Sequence, residues 1–254
     1  MDTQPTPAAW VGVLDRLSGE PFYAAYKQFL RGLLRPLPGQ LLLEVGAGAG
    51  TDALAVRSDS GAEVVTVDSS VTMAAQARKR GVPMAAAADG HRLPFQSGAF
   101  HAAWADRVLQ HVVDPGRVLD EMLRTVRPGG RVVLADPDYG TQALDIADGE
   151  LARQVLDYRA DRLLRNGRLA HQHPGMLAAR GVQDIDVHAL ALVVRDPHAV
   201  DNVMGLRTWA HHAAEHGVLT VRDADRFVDL FDQAVRSGRF TYTVTFFLTA
   251  GTAP

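Results

Sequence analysis

Cysteine is absent from the 254-residue chain. Disulfide bonds, thiolate metal ligands, cysteine nucleophiles and cysteine-held iron–sulfur clusters are therefore excluded. Lysine is scarce, with only Lys27 and Lys79, and the net charge is −3, so no general positive charge favours nucleic acid as a partner. No apolar run reaches the length of a membrane span, and the first residues are not basic. These absences predict a cytoplasmic protein that acts without a membrane.

The most informative stretch is an apolar run at residues 41–45, followed by glycines at positions 46, 48 and 50. A continuous apolar run is typical of a strand that is buried on both faces of a parallel sheet. Glycines have no Cβ, so the chain can turn sharply and a ligand can lie against bare backbone, near the amides that begin the next helix. The pattern predicts a turn that binds a nucleotide or nucleoside.

Two acidic residues accompany this turn. Asp68 ends a second predicted strand, and in a right-handed βαβ unit it would lie beside the glycines and bind ribose hydroxyls. Glu44 stands inside the first strand, where a carboxylate would repel pyrophosphate and favour a cationic ligand. A dinucleotide site stays open from these residues, because Asp68 would serve it equally and Ala53 weakly matches the last small residue of that fingerprint.

Apolar periodicity predicts the helices and strands of the whole chain. They are, in order, helices 7–17 and 21–35, strand 41–45, helix 51–58, strand 62–67, helix 70–80, strands 83–87 and 99–104, helix 114–126, strand 130–135, helical segments within 142–180, strand 182–194, helices 197–216 and 222–237, and strand 240–248. The alternation predicts a doubly wound α/β sheet with helices on both faces. In such sheets ligands bind beyond the carboxyl ends of the strands.

Five short motifs follow one another between residues 40 and 136. They are Glu44-Val45-Gly46-Ala47-Gly48-Ala49-Gly50, Val67-Asp68, Ala88-Asp89-Gly90-His91-Arg92-Leu93-Pro94-Phe95, Val108-Leu109-Gln110-His111 and Arg127-Pro128-Gly129-Gly130-Arg131. Together they resemble the class I S-adenosylmethionine-dependent methyltransferases, in particular quinone-biosynthesis C-methyltransferases and natural-product O-methyltransferases. The resemblance implies a Rossmann-like seven-stranded sheet, mostly parallel with an antiparallel last strand and a helical cap. It also implies S-adenosyl-L-methionine as cofactor and a small-molecule acceptor.

We expect one methyltransferase domain over residues 1–254. Its expected parts are N-terminal helices at 1–38, a cofactor-binding core at 39–140, helical cap segments at 141–181 and 197–237, and final strands at 182–194 and 240–249.

The resemblance assigns a set of residues to the cofactor. In chain order they are Arg31, Glu44, Gly46, Gly48, Gly50, Asp68, Ser69, Met73, Asp89, Gly90 and Asp106. Asp68 would bind the ribose, Asp89 the adenine amine, Asp106 the amino group and Arg31 the carboxylate.

Other roles stay open for several of these residues. Asp68 also suits the N-cap of the following helix, and Asp89 suits a turn before a glycine. Met73 could pack in the core instead of against adenine, and Arg31 could be solvated.

His111 is the candidate general base, because imidazole titrates near neutral pH, and Asp136 could orient it or take the proton itself. A structural role for His111, ordering its loop, is equally open. The expected acceptor-binding residues are Tyr23, Tyr26, Tyr139 and Trp209. Alternative bases are His171, His173, His211 and His212. The histidines show no ligand spacing typical of a metal site, so no metal is expected.

Three other functions are compatible with this pattern. The fold could catalyse a cyclisation or elimination with bound cofactor, bind S-adenosylmethionine without catalysis, or serve a nicotinamide-dependent oxidoreductase.

Overall fold

The computed structural model describes residues 20–197 and 205–254. The helix predicted at 7–17 lies outside the described residues, as do positions 198–204 of the helix predicted at 197–216. The α-helices are α1 Pro21–Leu34, α2 Thr51–Ser60, α3 Val71–Lys79, α4 Pro115–Thr125, α5 Gly149–Tyr158, α6 His173–Ala178, α7 Leu206–Glu215 and α8 Val221–Arg236. The strands are β1 Leu41–Val45, β2 Glu63–Asp68, β3 Met84–Ala87, β4 Phe100–Asp106, β5 Val126–Leu144, β6 Gln183–Val194 and β7 Tyr242–Thr252.

The seven strands form one sheet in the order β3-β2-β1-β4-β5-β7-β6. The sheet is mostly parallel with antiparallel strands at its end, which confirms the predicted fold. β1 lies between β2 and β4, so that Leu43 is paired with Val65 on one side and Ala103 on the other. The strand order reverses between β1 and β4, and the carboxyl ends of these two strands therefore flank the predicted ligand crevice.

The largest difference from the predicted elements is the length of β5. The strand was expected at 130–135 but runs from Val126 to Leu144, and residues 130–139 are buried throughout. Pro137 and Gly140 mark turns when the sequence is read locally, which is why the prediction ended too early. The predicted helical region 142–180 is divided into α5, a π-helical turn at Arg159–Leu163, a short 3₁₀ segment and α6.

The chain groups into two compact units. The first contains the residues up to Asp136, Gln172–His188 and Phe247–Pro254, and the second contains Pro137–His171 and Ala189–Phe246. In the first unit Leu42, Leu43 and Trp104 are fully buried around β1 and β4. In the second, α7 and α8 bury one face each, and the other faces are polar. The expectation of a single domain stays a prediction.

None of the helices within residues 20–197 and 205–254 combines the length and the apolar character that crossing a membrane requires.

Candidate active site

The glycine turn after β1 has a backbone that other residues adopt at a cost. Gly46, Gly48 and Gly50 have φ angles of 71°, 53° and 77°. A Cβ on Gly46 would lie 2.3 Å from Cγ2 of Val108, and a Cβ on Gly50 would lie 2.6 Å from Cγ2 of Val82. Glycine is therefore required both by conformation and by space, and the turn presents bare backbone at the end of β1.

Asp68 is fixed beside this turn by the backbone. Its Oδ2 accepts a hydrogen bond from the Gly48 N–H at 2.8 Å, and its Oδ1 accepts from the Ser70 N–H at 2.8 Å. The N-cap of α3 is Ser70, whose hydroxyl accepts from the Met73 N–H. The capping role proposed for Asp68 is therefore wrong, and each carboxylate oxygen keeps a further lone pair for a ligand.

A cavity of about 670 Å³ opens beside Asp68 in the first unit. Its lining residues are Ser69, Ala87, Ala88, Asp89, His91 and Val113. Ser69 and Asp89 were predicted to contact adenine. Met73 is only 8% exposed and packs in the core. At Gly90 a Cβ would meet the side chains of Val45 and Val118.

His91 connects Asp89 to the start of α4. The Asp89 carboxylate accepts from the His91 N–H at 2.9 Å and contacts His91 Nδ1 at 2.6 Å, and these bonds lower the pKa of Asp89. His91 Nε2 accepts from the Asp114 N–H at 3.1 Å. Because Nε2 is an acceptor, the neutral ring carries its proton on Nδ1 and donates it to Asp89. Asp89 is thus oriented at the cavity wall.

A buried set of charges lies at the carboxyl ends of β1 and β4. Lys27 of α1 donates through Nζ to the carboxylates of Asp52 and Asp106. Glu44 is buried nearby, and its Oε2 has no hydrogen-bond partner. We call Glu44, Asp52 and Asp106 the acid cluster. Lys27, together with Arg107, whose Nε lies 3.8 Å from Oδ1 of Asp106, offsets three neighbouring acids.

The pKa shifts in the acid cluster follow from this arrangement. Burial raises the pKa of Glu44 well above its usual value, Asp52 adds to the rise, and Lys27 opposes it. Burial also opposes the ionisation of Asp106, but Lys27 and Arg107 outweigh burial and lower its pKa. Burial alone would lower the pKa of Lys27, but Asp106 and Asp52 raise it. The lysine is therefore held as an ammonium and Asp106 as a carboxylate.

Tyr26 and Tyr23 lie beside this charged set. The Tyr26 hydroxyl donates to Asp106, and burial together with Asp106 raises the pKa of Tyr26. The guanidinium of Arg107 lies over the Tyr23 ring, 5.4 Å from its centroid. The sequence predicts both tyrosines as acceptor-binding residues, but both are buried. Tyr26 can be buried because the acid at the end of β4 satisfies its hydroxyl. Arg31, expected at the cofactor carboxylate, forms a 3.0 Å ion pair with Asp59.

Asp136 and His111 were expected to act as a pair. In the structure, Nε2 of His173 in α6 lies 3.5 Å from Oδ2 of Asp136. Both side chains are buried. His111 is exposed, and its Nε2 lies 3.0 Å from Nε2 of Gln110. Burial and Asp106 raise the pKa of Asp136 well above its usual value.

The other two predicted acceptor residues belong to the second unit. Tyr139 and Trp209 are both buried, and the Arg159 guanidinium lies over each ring, 4.6 Å and 4.0 Å from the centroids. His171, an alternative base, contacts Asp138 through Nδ1.

Sequence reasoning missed several residues of these sites, namely Lys27, Asp52, His91, Arg159 and the contact between His173 and Asp136. A signal existed for Lys27, because it is one of two lysines in the chain. Within the described residues, no three histidine, aspartate or glutamate side chains come together so that they could hold a metal ion.

Comparison with known proteins identifies sequences that are similar to this chain. Residues 43–134 match a family described as a methyltransferase domain. An uncharacterized 37.1 kDa protein in transposon TN4556 of Streptomyces fradiae is 33% identical over 249 residues, which are 96% of this chain and 71% of that protein. The demethylmenaquinone methyltransferase of Beutenbergia cavernae is 41% identical over 100 residues. This match covers 39% of the chain and only 41% of that enzyme.

A solved structure of similar fold carries the product form of the same cofactor. Phosphoethanolamine N-methyltransferase 2 of Haemonchus contortus, in complex with S-adenosylhomocysteine, aligns with 99% of this chain and 58% of its own, with a TM-score of 0.61 and 19% identity. The predicted family and the predicted cofactor, S-adenosyl-L-methionine, are confirmed. The residues at the end of β1 fit that cofactor, because the buried Glu44 oxygen lacks a partner and the acid cluster suits a cation.

The buried position of Asp136 predicts a pH-dependent loss of stability. Its pKa is raised in the folded state, so the folded protein holds a proton that the unfolded chain releases above about pH 4. The contribution of Asp136 to the free energy of unfolding is complete below that pH and is lost as the pH rises through the folded pKa. A tenfold difference in proton affinity between the folded and unfolded chain corresponds to about 1.4 kcal/mol of stability. Asp136→Asn should therefore gain stability relative to wild type between about pH 4 and pH 7, as measured by urea unfolding.

Asp120→Asn is the control for this experiment, because Asp120 is exposed and pairs with Arg180 on the surface. Its difference from wild type should change little with pH. A difference between Asp136→Asn and wild type that stays constant with pH would contradict the prediction.

Proposed function

Because the chain belongs to the class I S-adenosylmethionine-dependent methyltransferases, we propose that it methylates a small, largely apolar metabolite at a hydroxyl or enol oxygen or an activated carbon. The observation that carries the proposal is the position of Asp68. Its carboxylate accepts a hydrogen bond from the glycine turn, and the next residue in the chain, Ser69, lines the cavity together with Asp89. The name of the Beutenbergia relative, a demethylmenaquinone methyltransferase, supports an acceptor of quinone type.

Different residues of the first unit suit different chemical groups of the cofactor. When bound, S-adenosyl-L-methionine supplies an electrophilic methyl group on a sulfonium. Asp68 would accept hydrogen bonds from the ribose hydroxyls, and Asp89 would accept from the adenine amine. The acid cluster of Glu44, Asp52 and Asp106 would hold the cationic end. Gly46 and the neighbouring glycines place no side chain where the cofactor would approach the backbone.

The acid cluster suits a cation for an electrostatic reason. Lys27 and Arg107 face three neighbouring carboxyl groups, and the pKa of Glu44 is raised first by burial and then by repulsion from Asp52. A second cation near Glu44 would relieve that repulsion. Because Lys27 competes for the same carboxylates, it also sets how strongly the cluster attracts a bound cation.

For a hydroxyl acceptor we propose His111 as the base. It is exposed on the loop after β4, where a ligand can reach it, and neutral imidazole can accept a proton near neutral pH. Asp136 and His173 form a buried pair that supports the same loop, since the Leu109 and Gln110 amides favour the ionised form of Asp136.

The proposed activity is tested by mass spectrometry of reactions with S-adenosylmethionine and a panel of quinols, phenols and enols. We expect a product that is heavier by one methyl group for at least one member, together with S-adenosylhomocysteine. An altered product of unchanged methyl content would favour cyclisation or elimination. Cofactor binding without turnover across the panel would favour a binding protein.

Asp68→Asn should weaken S-adenosylhomocysteine binding by about tenfold or more, because the charge-assisted bonds to the ribose are lost. Glu63→Gln is the matched control, since Glu63 stands at the opposite end of β2, is exposed and pairs with Arg57. Calorimetry should show wild-type affinity for the control. Equal affinity of Asp68→Asn and wild type would remove Asp68 from the site.

His111→Ala should lower turnover by roughly a hundredfold to ten-thousandfold, the usual cost of losing a general base, while S-adenosylhomocysteine affinity is kept. The acid limb of the pH–rate profile should disappear. His188→Ala is the control histidine, because His188 packs edge-on against Phe29. A small loss of turnover with a lower melting temperature would indicate loop ordering instead. A large loss in His173→Gln but none in His111→Ala would assign the base to the buried pair.

A further inference from the structure

Arg159 differs from the other arginines of the second unit. Among the described residues of this unit, it is the one partly buried arginine without an ion pair or hydrogen bond through its guanidinium. Its Nε is buried and has no acceptor. The other partly buried arginines, Arg168 and Arg207, are each ion-paired with aspartates. A buried guanidinium N–H without an acceptor is costly for a fold to maintain.

Aromatic rings hold this guanidinium in position. Its Cζ lies 4.0 Å from the ring centroid of Trp209 and 4.6 Å from that of Tyr139, and both rings are buried. Cation–π contact uses the charge above a ring face and leaves the terminal N–H donors for an oxygen acceptor. The side chain is therefore oriented while its terminal donors have no partner among the described residues.

The acids nearest to Arg159 in sequence are engaged elsewhere. Asp157 and Asp161 both pair with Arg168, at 2.5 Å and 2.6 Å. Arg159 begins the π-helical turn Arg159–Leu163, in which the Leu164 N–H donates to the Arg159 carbonyl. Such turns occur frequently at functional sites. Arg159 is thereby left without either aspartate.

We propose that Arg159 binds the carboxylate of a small organic acid, with Tyr139 and Trp209 holding the guanidinium in position. The sequence predicts acceptor binding for both aromatic residues, and Arg159 adds an anionic group to the ligand. All three residues of the site belong to the second unit, and the test measures binding alone. A failure of this proposal is therefore distinguishable from a failure of the proposed methyl transfer.

A carboxylate fits Arg159 better than a phosphate does. A planar guanidinium binds a planar carboxylate through two parallel N–H···O bonds, and one charge neutralises the other. A phosphate dianion needs a further cation, and the other partly buried arginines described in this unit already face aspartates.

The test is calorimetric titration of the full chain with 2-naphthoate and with 2-naphthamide, which has the same shape without the charge. Wild type should bind the carboxylate at least about tenfold more tightly. Arg159→Gln should lose that preference. Arg159→Lys should keep only part of it, since a lysine retains the charge but not the planar fork. Arg153→Gln is the matched control, because Arg153 is exposed on α5, and it should retain the preference.

Thermal unfolding of each variant shows whether it remains folded. If Arg159→Gln is unfolded, the test depends on folded Arg159→Lys. Its preference for 2-naphthoate over 2-naphthamide should then be lower than that of wild type. The proposal is overturned if wild type binds neither probe, binds both equally, or prefers phenyl phosphate to benzoate. It is also overturned if folded Arg159→Gln prefers the carboxylate as wild type does, or if Arg153→Gln loses the preference equally.

Discussion

The ammonium of Lys27 allows three carboxyl groups to be buried together in the first unit. Glu44, Asp52 and Asp106 come from β1, α2 and the end of β4, and without a cation among them their repulsion would be strong in a region of low dielectric. Lys27 thereby joins α1 to both α2 and β4. The packing of α1 and the electrostatics of the site depend on this one side chain.

The carboxyl ends of neighbouring strands in the sheet carry acidic groups in two different environments. The acid cluster concentrates negative charge at the ends of β1 and β4, whereas Asp68 at the end of β2 is held by backbone amides and retains acceptor capacity. A ligand with a cationic end and a pair of hydroxyl groups matches both.

Local rules were enough for much of the fold. The buried run of β1, the glycine turn and Asp68 follow from side-chain patterning, from positive φ angles and from the handedness of βαβ units. They failed for β5, because Pro137 resembles a strand end when read locally. They also missed that His173 of α6 lies beside Asp136, because the two residues are far apart in the chain.

The sequence by itself determined the family, the cofactor, the order of the elements and which backbone positions require glycine. These properties depend on residues close together in the chain, or on motifs whose spacing survives without coordinates. Only the tertiary structure decided which charges meet: Lys27 with Asp52 and Asp106, and Arg159 with aromatic rings instead of Asp157. The physical reason is that buried charges find partners through the packing of separate elements, and the energy of each pairing depends on distance and desolvation that no local pattern encodes.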